Sequence, residues 1–194
     1  ACIILAAVGA AVWGIIVGFL KAYCNVNEVI SGIMLNWISL YIINMLLTNV
    51  KEPTSPYTKS LGKASIIPSL GLDTLFNNNK YVTIAIPMAI VFVIMIWLLI
   101  DKTKFGYELR ATGLNKHAAK YSGMNEKRNI IVSLAIGGAL AGMGAAMFYL
   151  SGIEQWSCSQ SSVPGMGFNG IAAAFLGGLS PIGSIFSSYF IQHI

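Results

Sequence analysis

The feature that most constrains this 194-residue chain is a set of five long stretches that contain no Asp, Glu, Lys or Arg. A helix of about 20 apolar residues crosses the roughly 30 Å hydrocarbon core of a bilayer, because its backbone amides all bond within the helix. A spanning β-barrel requires alternating polarity instead, and residues 91–100 are apolar throughout. The chain is therefore predicted to be an all-α, polytopic transmembrane helix bundle. The uncharged stretches are 1–20, 29–50, 81–100, 129–153 and 155–194.

The composition argues against a soluble enzyme. Charged residues make up 10% of the chain, against about 25% in ordinary soluble domains. Cys2, Cys24 and Cys158 are too scattered to form a disulfide framework or a zinc site. No nucleophile, base and orienting group come together, so no catalytic, metal or cofactor site is predicted and the chain is not expected to be an enzyme. The net charge of +5 resides in the loops, which favours membrane topology over nucleic-acid binding.

The apolar stretches predict a single transmembrane domain over residues 1–194, which begins and ends inside apolar runs. We therefore expect a fragment of a larger protein, truncated at both ends. The last stretch is long enough for one span plus a re-entrant or interfacial segment. The loop 101–128 carries seven Lys and Arg residues, and the positive-inside rule places it in the cytoplasm. The predicted spans are 1–20, 29–49, 81–100, 129–150 and 170–194.

Small residues recur every four positions in two of these spans, which predicts close packing of helix backbones. The rows are Ala6, Ala10, Gly14 and Gly18 in the first span, and Gly138, Gly142 and Ala146 in the fourth.

Two asparagines in the second span are notable because polar groups inside a bilayer are costly. Asn36 lies near its middle, and Asn44 shares the same helix face at i+8. The pair either lines a translocation path or makes hydrogen bonds between helices.

The basic loop contains a pattern typical of a short helix. Asn115 can cap its start and Gly123 can end it, which leaves residues 116–122 as two turns. Gly113 is expected to break the preceding chain. Ala118 and Ala119 are expected to lie together on one side. Such a helix can insert into a groove of another protein, although an ordinary basic loop is the alternative.

This loop resembles the cytoplasmic coupling loop of ABC importer permeases of the branched-chain amino acid, simple sugar and nucleoside group. Residues 27–36 and 165–177 resemble the nucleoside branch of that group more than the ribose branch. Asn169 stands where that branch usually has an acidic residue. The loop residues that match the pattern are Thr103, Phe105, Gly106, Arg110, Ala111, Gly113, Asn115, Ala118, Ala119 and Gly123.

The resemblance implies the permease subunit of an ATP-driven importer, with nucleosides as the expected substrate and ribose or another simple sugar as the alternative. It implies a set of ATPase-coupling residues: Arg110, Gly113, Asn115, Ala118, Ala119 and Gly123. It also implies a set of substrate-pathway residues: Asn36, Trp37, Phe168 and Asn169.

The same resemblance implies partners for the chain. Two cytoplasmic ATPases would hold the ATP and magnesium, because this sequence has no Walker pattern. A second permease subunit, identical or related, would complete the pathway in the plasma membrane. An extracytoplasmic binding protein would deliver the substrate. Two other classes stay open. One is an ATP-independent channel or secondary transporter, and the other is an intramembrane enzyme. Neither class requires the 103–123 loop.

Overall fold

The computed structural model describes residues 2–50, 55–58, 66–67, 84–152 and 154–193. Within these ranges the regular secondary structure is all helical, as predicted. The one β-type pairing there is an isolated antiparallel bridge between Tyr57 and Ser157. A short 3-10 turn, Thr48–Val50, follows the second helix. The described helices are α1 (Cys2–Cys24), α2 (Glu28–Leu47), α3 (Ala85–Lys102), α4 (Lys104–Leu114), α5 (Lys116–Tyr121), α6 (Glu126–Leu150), α7 (Met166–Leu176) and α8 (Pro181–Gln192).

Four helices have the length and apolar composition to cross a membrane: α1, α2 with its 3-10 turn, α3 and α6. At most 11% of the residues in their most apolar windows are buried within this chain. Their apolar side chains therefore face outward, as expected for helices surrounded by lipid or by further helices. α6 begins earlier than the predicted span because the Asn125 side chain accepts a hydrogen bond from the backbone N–H of Arg128 at 3.2 Å.

The predicted fifth span, 170–194, differs from the structure, which divides this region between α7 and α8. These helices have 11 and 12 residues. At 1.5 Å per residue each is about 17 Å long, well short of the roughly 30 Å hydrocarbon core. Gly178 and Leu179 take positive φ angles of 65° and 56°, and this left-handed turn stops α7. The result is a hairpin of two short helices.

The most extensive helix contact joins α1 and α6, which run antiparallel. The two rows of small residues meet in this contact, as predicted. A Cβ atom placed on Gly142 would lie 2.5 Å from the carbonyl oxygen of Ala6, and one on Gly138 would lie 2.5 Å from that of Ala10. A Cβ atom placed on Gly18 would lie 2.9 Å from the Cα of Ile131. The absence of side chains here lets the two backbones touch.

The bundle has two distinct ends. At one end the turn between α1 and α2 lies beside α4 and the start of α6, around a shared cleft. At the other end the backbone N–H of Ile67 donates to the carbonyl of Leu150 at the end of α6. The first end holds the seven basic residues of the 101–128 segment, and we call it the basic end.

Candidate functional site

The basic end is built on a sharp elbow between α3 and α4. Thr103 stands at the elbow, where its Oγ1 accepts a hydrogen bond from the Gly106 N–H at 3.1 Å and donates to the Leu99 carbonyl at 2.5 Å. A Cβ atom on Gly106 would collide with the carbonyl oxygens of the last turns of α3. Glycine at this position therefore allows α4 to fold back directly against α3.

Arg110 strengthens the same elbow. Its Nη1 lies 2.7 Å from Oδ1 of Asp101, and both side chains are partly exposed. A solvent-exposed pair of this kind contributes at most about 1 kcal/mol to stability. The pair nevertheless fixes the direction of the Arg110 side chain, which points back to the end of α3.

The predicted short helix is confirmed as α5. The Asn115 Oδ1 accepts hydrogen bonds from the N–H groups of His117 and Ala118 at 3.0 and 3.1 Å. At the other end Gly123 has a φ of 79°, and Met124 N–H donates to the Ala119 carbonyl at 3.0 Å. This is a Schellman ending, in which a left-handed glycine satisfies the last helical carbonyls.

Two details of this segment differ from the sequence predictions. Gly113 does not break the chain, since α4 continues through it and ends at Leu114. The prediction that Ala118 and Ala119 lie together on one side is wrong. Ala118 is exposed, whereas Ala119 is only 3% exposed in a helix that contacts α4 and α6. Consecutive residues of a helix are about 100° apart, so packing buries one and leaves the other outside.

Two large apolar side chains, one just before α5 and one at its last residue, are almost entirely exposed. Leu114 is 90% exposed and Tyr121 is 94% exposed. Both occur in a lysine-rich segment outside the four helices of spanning length. We call Leu114, Ala118 and Tyr121 the α5 surface. These two side chains leave apolar groups exposed next to the basic residues of this segment.

A buried polar contact joins α4 to α6. Asn129, which is 2% exposed, donates from Nδ2 to the Thr112 Oγ1 at 2.9 Å and to the Glu108 carbonyl at 3.4 Å. Thr112 in turn donates to the same Glu108 carbonyl at 2.7 Å. One carbonyl, one hydroxyl and one amide thus form a closed network beneath the basic end.

An open cleft of about 770 Å³ lies beside this network, between the α1–α2 turn and the α4–α6 segment. Lys21 and Glu28 form an ion pair across the α1–α2 turn at its rim. Other polar residues along its walls are Asn25, Asn27, Asn115, Lys116, Asn129 and Ser133.

At the opposite end both polar atoms of the Asn44 side chain make hydrogen bonds. Its Nδ2 donates to the Gln160 carbonyl at 2.9 Å, and its Oδ1 accepts from the Trp156 indole N–H at 3.0 Å. The same stretch pairs with residues 55–58, since Thr58 N–H donates to the Trp156 carbonyl at 3.0 Å. Asn44 therefore makes hydrogen bonds to another part of the protein, but they are not the interhelical bonds that were expected. Its partner is an irregular segment of the chain and not a helix.

The four predicted pathway residues lie on two separate helices. Asn36 and Trp37 are exposed near the middle of α2, and Phe168 and Asn169 are exposed in the first turn of α7. In the described part of the chain α7 packs against α8, and α2 packs against α1. The structure does not assemble the two pairs into one packed site.

We predict that alanine at Asn44 lowers the stability of the protein, whereas alanine at Asn36 does not. Asn44→Ala would leave a Trp156 N–H and a Gln160 carbonyl unpaired, which costs about 1–3 kcal/mol for each buried group. The variant should therefore lose thermal stability and become more sensitive to external protease. Asn36→Ala removes an exposed amide, so it should keep normal stability and reduce uptake. Equal loss of stability in the two purified full-length variants would contradict this assignment.

The family model for the permease component of branched-chain amino acid transport systems matches residues 1–194. The chain belongs to this permease family. Its members are transport components rather than enzymes, and the four helices of spanning length fit a multi-pass protein of the plasma membrane. No solved structure gives a significant match to the chain.

Several curated relatives of this permease have nucleoside or sugar names. The guanosine ABC transporter permease protein NupP of Bacillus subtilis is 35% identical over 186 residues, which cover 96% of this chain and 53% of the relative. The nucleoside ABC transporter permease protein NupB of Lactococcus lactis is 35% identical over 192 residues, which cover 96% and 52%. The galactose/methyl galactoside import permease protein MglC of Escherichia coli is 30% identical over 190 residues, which cover 94% and 52%. The chain spans about half the length of these relatives.

Sequence analysis of this permease missed Thr112, Asn129 and the partners of Asn44. Asn129 offered one signal, because it is a polar residue in the first turn of a long apolar helix. Its partner Thr112 lies 17 residues away on a different helix, and the partners of Asn44 lie more than 100 residues away. Such pairs depend on how helices pack and leave no pattern of spacing along the chain.

Proposed function

We propose that this chain is part of the membrane-embedded region of a permease subunit that imports nucleosides with energy from ATP. Family membership supports the transport role. The names and 35% identities of the relatives NupP and NupB support nucleosides over sugars, for which the relative MglC stands at 30% identity. ATP hydrolysis would belong to separate ATPase subunits.

The observation that carries the proposal is the α5 surface. A two-turn helix with firm caps at both ends projects at the basic end, with Leu114 and Tyr121 almost completely exposed. We infer that this end faces the cytoplasm and that α5 enters a groove on the ATPase. An amphipathic helix in an apolar groove is a common mode of protein recognition, and its anchors are aromatic or aliphatic side chains.

The six proposed coupling residues divide into two roles in this proposal. Ala118 would contact the ATPase directly. The others would give α5 its position. Asn115 and Gly123 cap α5, and Ala119 packs on its inner side. Gly113 lies in the last turn of α4, and Arg110 pairs with Asp101 at the elbow.

Asn36, Trp37, Phe168 and Asn169 would line the substrate pathway. A nucleoside has a flat base that can stack on aromatic rings and a ribose whose hydroxyl groups can bond to amides. Two aromatic and two amide side chains suit both parts of such a molecule. A second permease subunit would complete the pathway, and a binding protein would deliver the nucleoside at the end where Asn44 holds residues 156–160.

A tagged full-length subunit, purified from membranes that express the whole transport locus, tests this proposal. We expect the ATPase to co-purify and its hydrolysis to rise with a nucleoside-loaded binding protein. Leu114→Ala and Tyr121→Ala should each reduce ATPase retention about tenfold or more, because truncating a central anchor costs about 2 kcal/mol or more. Tyr41→Ala is the matched control, since Tyr41 is also exposed but lies in the half of α2 remote from the basic end.

The outcomes separate the competing functions. A well-folded wild-type subunit that retains no ATPase, yet transports, would overturn the proposal in favour of a channel or secondary transporter. Stimulation by sugar-loaded binding protein alone would overturn the nucleoside assignment and leave the ATP-driven importer intact.

A further inference from the structure

The contact between Asn129 and Thr112 is unusual among the polar contacts of the basic end because it is buried and joins two different helices. Arg110 and Asp101 are exposed, and the cap bonds of Thr103 and Asn115 lie within local turns. Asn129 instead reaches from the first turn of α6 to Thr112 in the last turn of α4. It is 2% exposed, and Thr112 is 7% exposed.

A buried amide of this kind is costly unless its hydrogen bonds are made. Here the Asn129 Nδ2 donates to the Thr112 hydroxyl, and that hydroxyl donates a hydrogen bond to the Glu108 carbonyl. The network therefore has a fixed direction and a fixed geometry. An apolar pair would fill the same space but would permit α4 to slide or rotate on α6.

The network lies on a continuous packed route from α5 to the centre of the bundle. α5 follows directly on α4 and packs against it, and α4 packs on α6. α6 in turn touches the α1 backbone at Gly138 and Gly142, where no side chain separates the helices. Backbone contact of this kind transmits displacement with little side-chain rearrangement, since packed interiors are only slightly compressible.

We propose that the Asn129–Thr112 hydrogen bond carries movement of α5 through α4 to α6 and α1, in addition to the smaller direct contact of α5 with α6. Asn129 is thus a positioning residue: it acts on the ATPase and on the substrate only through α4. This inference rests on the proposed function, because it assumes that α5 binds an ATPase. Binding of the ATPase and transmission of its movement are then separate properties. The α5 surface binds the ATPase, and the buried Asn129–Thr112 pair transmits the movement.

The test uses the full-length transporter reconstituted in lipid with its ATPase and its binding protein. The variants are Thr112→Val, Asn129→Leu and the double variant Thr112→Val/Asn129→Leu. Each removes the hydrogen bond, and the double variant also removes both polar groups, which restores a consistent apolar contact. Thr112→Ser keeps the hydroxyl. Ser133→Ala is the control, because Ser133 lies one turn beyond Asn129 and lines the same cleft but is exposed.

We expect all five variants to retain the ATPase and its basal hydrolysis. Stimulation of hydrolysis by loaded binding protein should fall about tenfold in the three variants that lack the bond, a change within the usual range of coupling between sites. Thr112→Ser and Ser133→Ala should keep it. The double variant should regain thermal stability relative to Asn129→Leu but not regain stimulation, and a merely structural role would restore both together.

Two results would overturn the inference. Stimulation within about twofold of wild type in the stable double variant would show that transmission does not need the bond, since coupling effects are usually at least about fivefold. Recovery of stimulation in step with recovery of stability would assign the pair a structural role. A wild-type subunit that retains no ATPase would instead overturn the proposed function itself.

Discussion

Replacing Gly142 with alanine is expected to lower the stability of this permease, whereas the same replacement at Gly144 is expected to leave stability unchanged or raise it. Alanine is favoured over glycine inside a helix by about 1 kcal/mol, so a substitution without steric conflict is stabilising. A Cβ atom on Gly144 meets nothing within 4 Å in the described chain. A Cβ atom on Gly142 would lie 2.5 Å from both the Ala6 carbonyl oxygen and the Ala10 Cβ.

The steric overlap at Gly142 cannot be relieved by a small local adjustment. The nearest atoms belong to the backbone of α1 and to a Cβ, so no side-chain rotation can relieve the overlap. α1 and α6 would have to separate, and this would weaken the most extensive contact in the chain. Overpacking of this kind costs about 1–3 kcal/mol, which exceeds the gain in helix propensity.

Thermal unfolding of the purified full-length variants measures this difference. Midpoints should fall for Gly142→Ala and stay level or rise for Gly144→Ala. Gly138 and Gly137 provide a second matched pair, since an added Cβ would meet the Ala10 carbonyl oxygen at 2.5 Å in the first case and nothing within 4 Å in the second. Equal shifts within each pair would mean that the α1–α6 contact differs from the one described here.

The architecture was largely predictable because its strongest determinants are local in sequence. Uninterrupted apolar runs determined four helices of spanning length, and charged residues marked the turns between them. The caps of α5 could be predicted for the same reason. The Asn115 side chain and the Gly123 backbone act on atoms only a few residues away, so their effect does not depend on the rest of the fold.

The division of the last apolar stretch shows a limit of this reasoning. Hydropathy continues through residues 177–180, and length alone suggested one span. The local turn decided otherwise, because Gly178 and Leu179 adopt left-handed backbone and Pro181 starts a new helix. Gly177 and Gly183 then allow the two short helices to approach closely.

The sequence predicts which helices form the candidate site but not which side of each helix is buried. A helix was expected at α5, but only its packing against α4 and α6 determines that Ala119 is inside and Ala118 outside. In the same way Asn36 and Asn44 share one helix face, yet only Asn44 meets a neighbouring segment in the described chain. Which side of an element is buried depends on tertiary partners that are distant in sequence.

The adjacent alanines of α5 provide the second large effect. Ala118→Arg is expected to abolish ATPase binding and ATP-driven uptake while leaving the permease folded. Ala118 is exposed and lies one helical turn from Tyr121, so an arginine there places a bulky charge in the middle of the α5 surface. Desolvating an unpaired charge in an interface costs several kcal/mol, which corresponds to a loss of affinity of about a hundredfold or more.

Ala119→Arg is expected to act in a different way. Ala119 is 3% exposed, so arginine would insert a large charged group where α5 packs inward, and the segment would lose its structure before any partner is involved. Ala118→Ser and Ala119→Ser are the mild controls, and both should keep uptake. Size-exclusion profiles, thermal midpoints and ATPase retention of the four variants distinguish the two mechanisms. We expect Ala118→Arg to be folded but to bind no ATPase, and Ala119→Arg to be unstable. If Ala119→Arg is instead folded without ATPase and Ala118→Arg is unstable, the other face of α5 binds the ATPase.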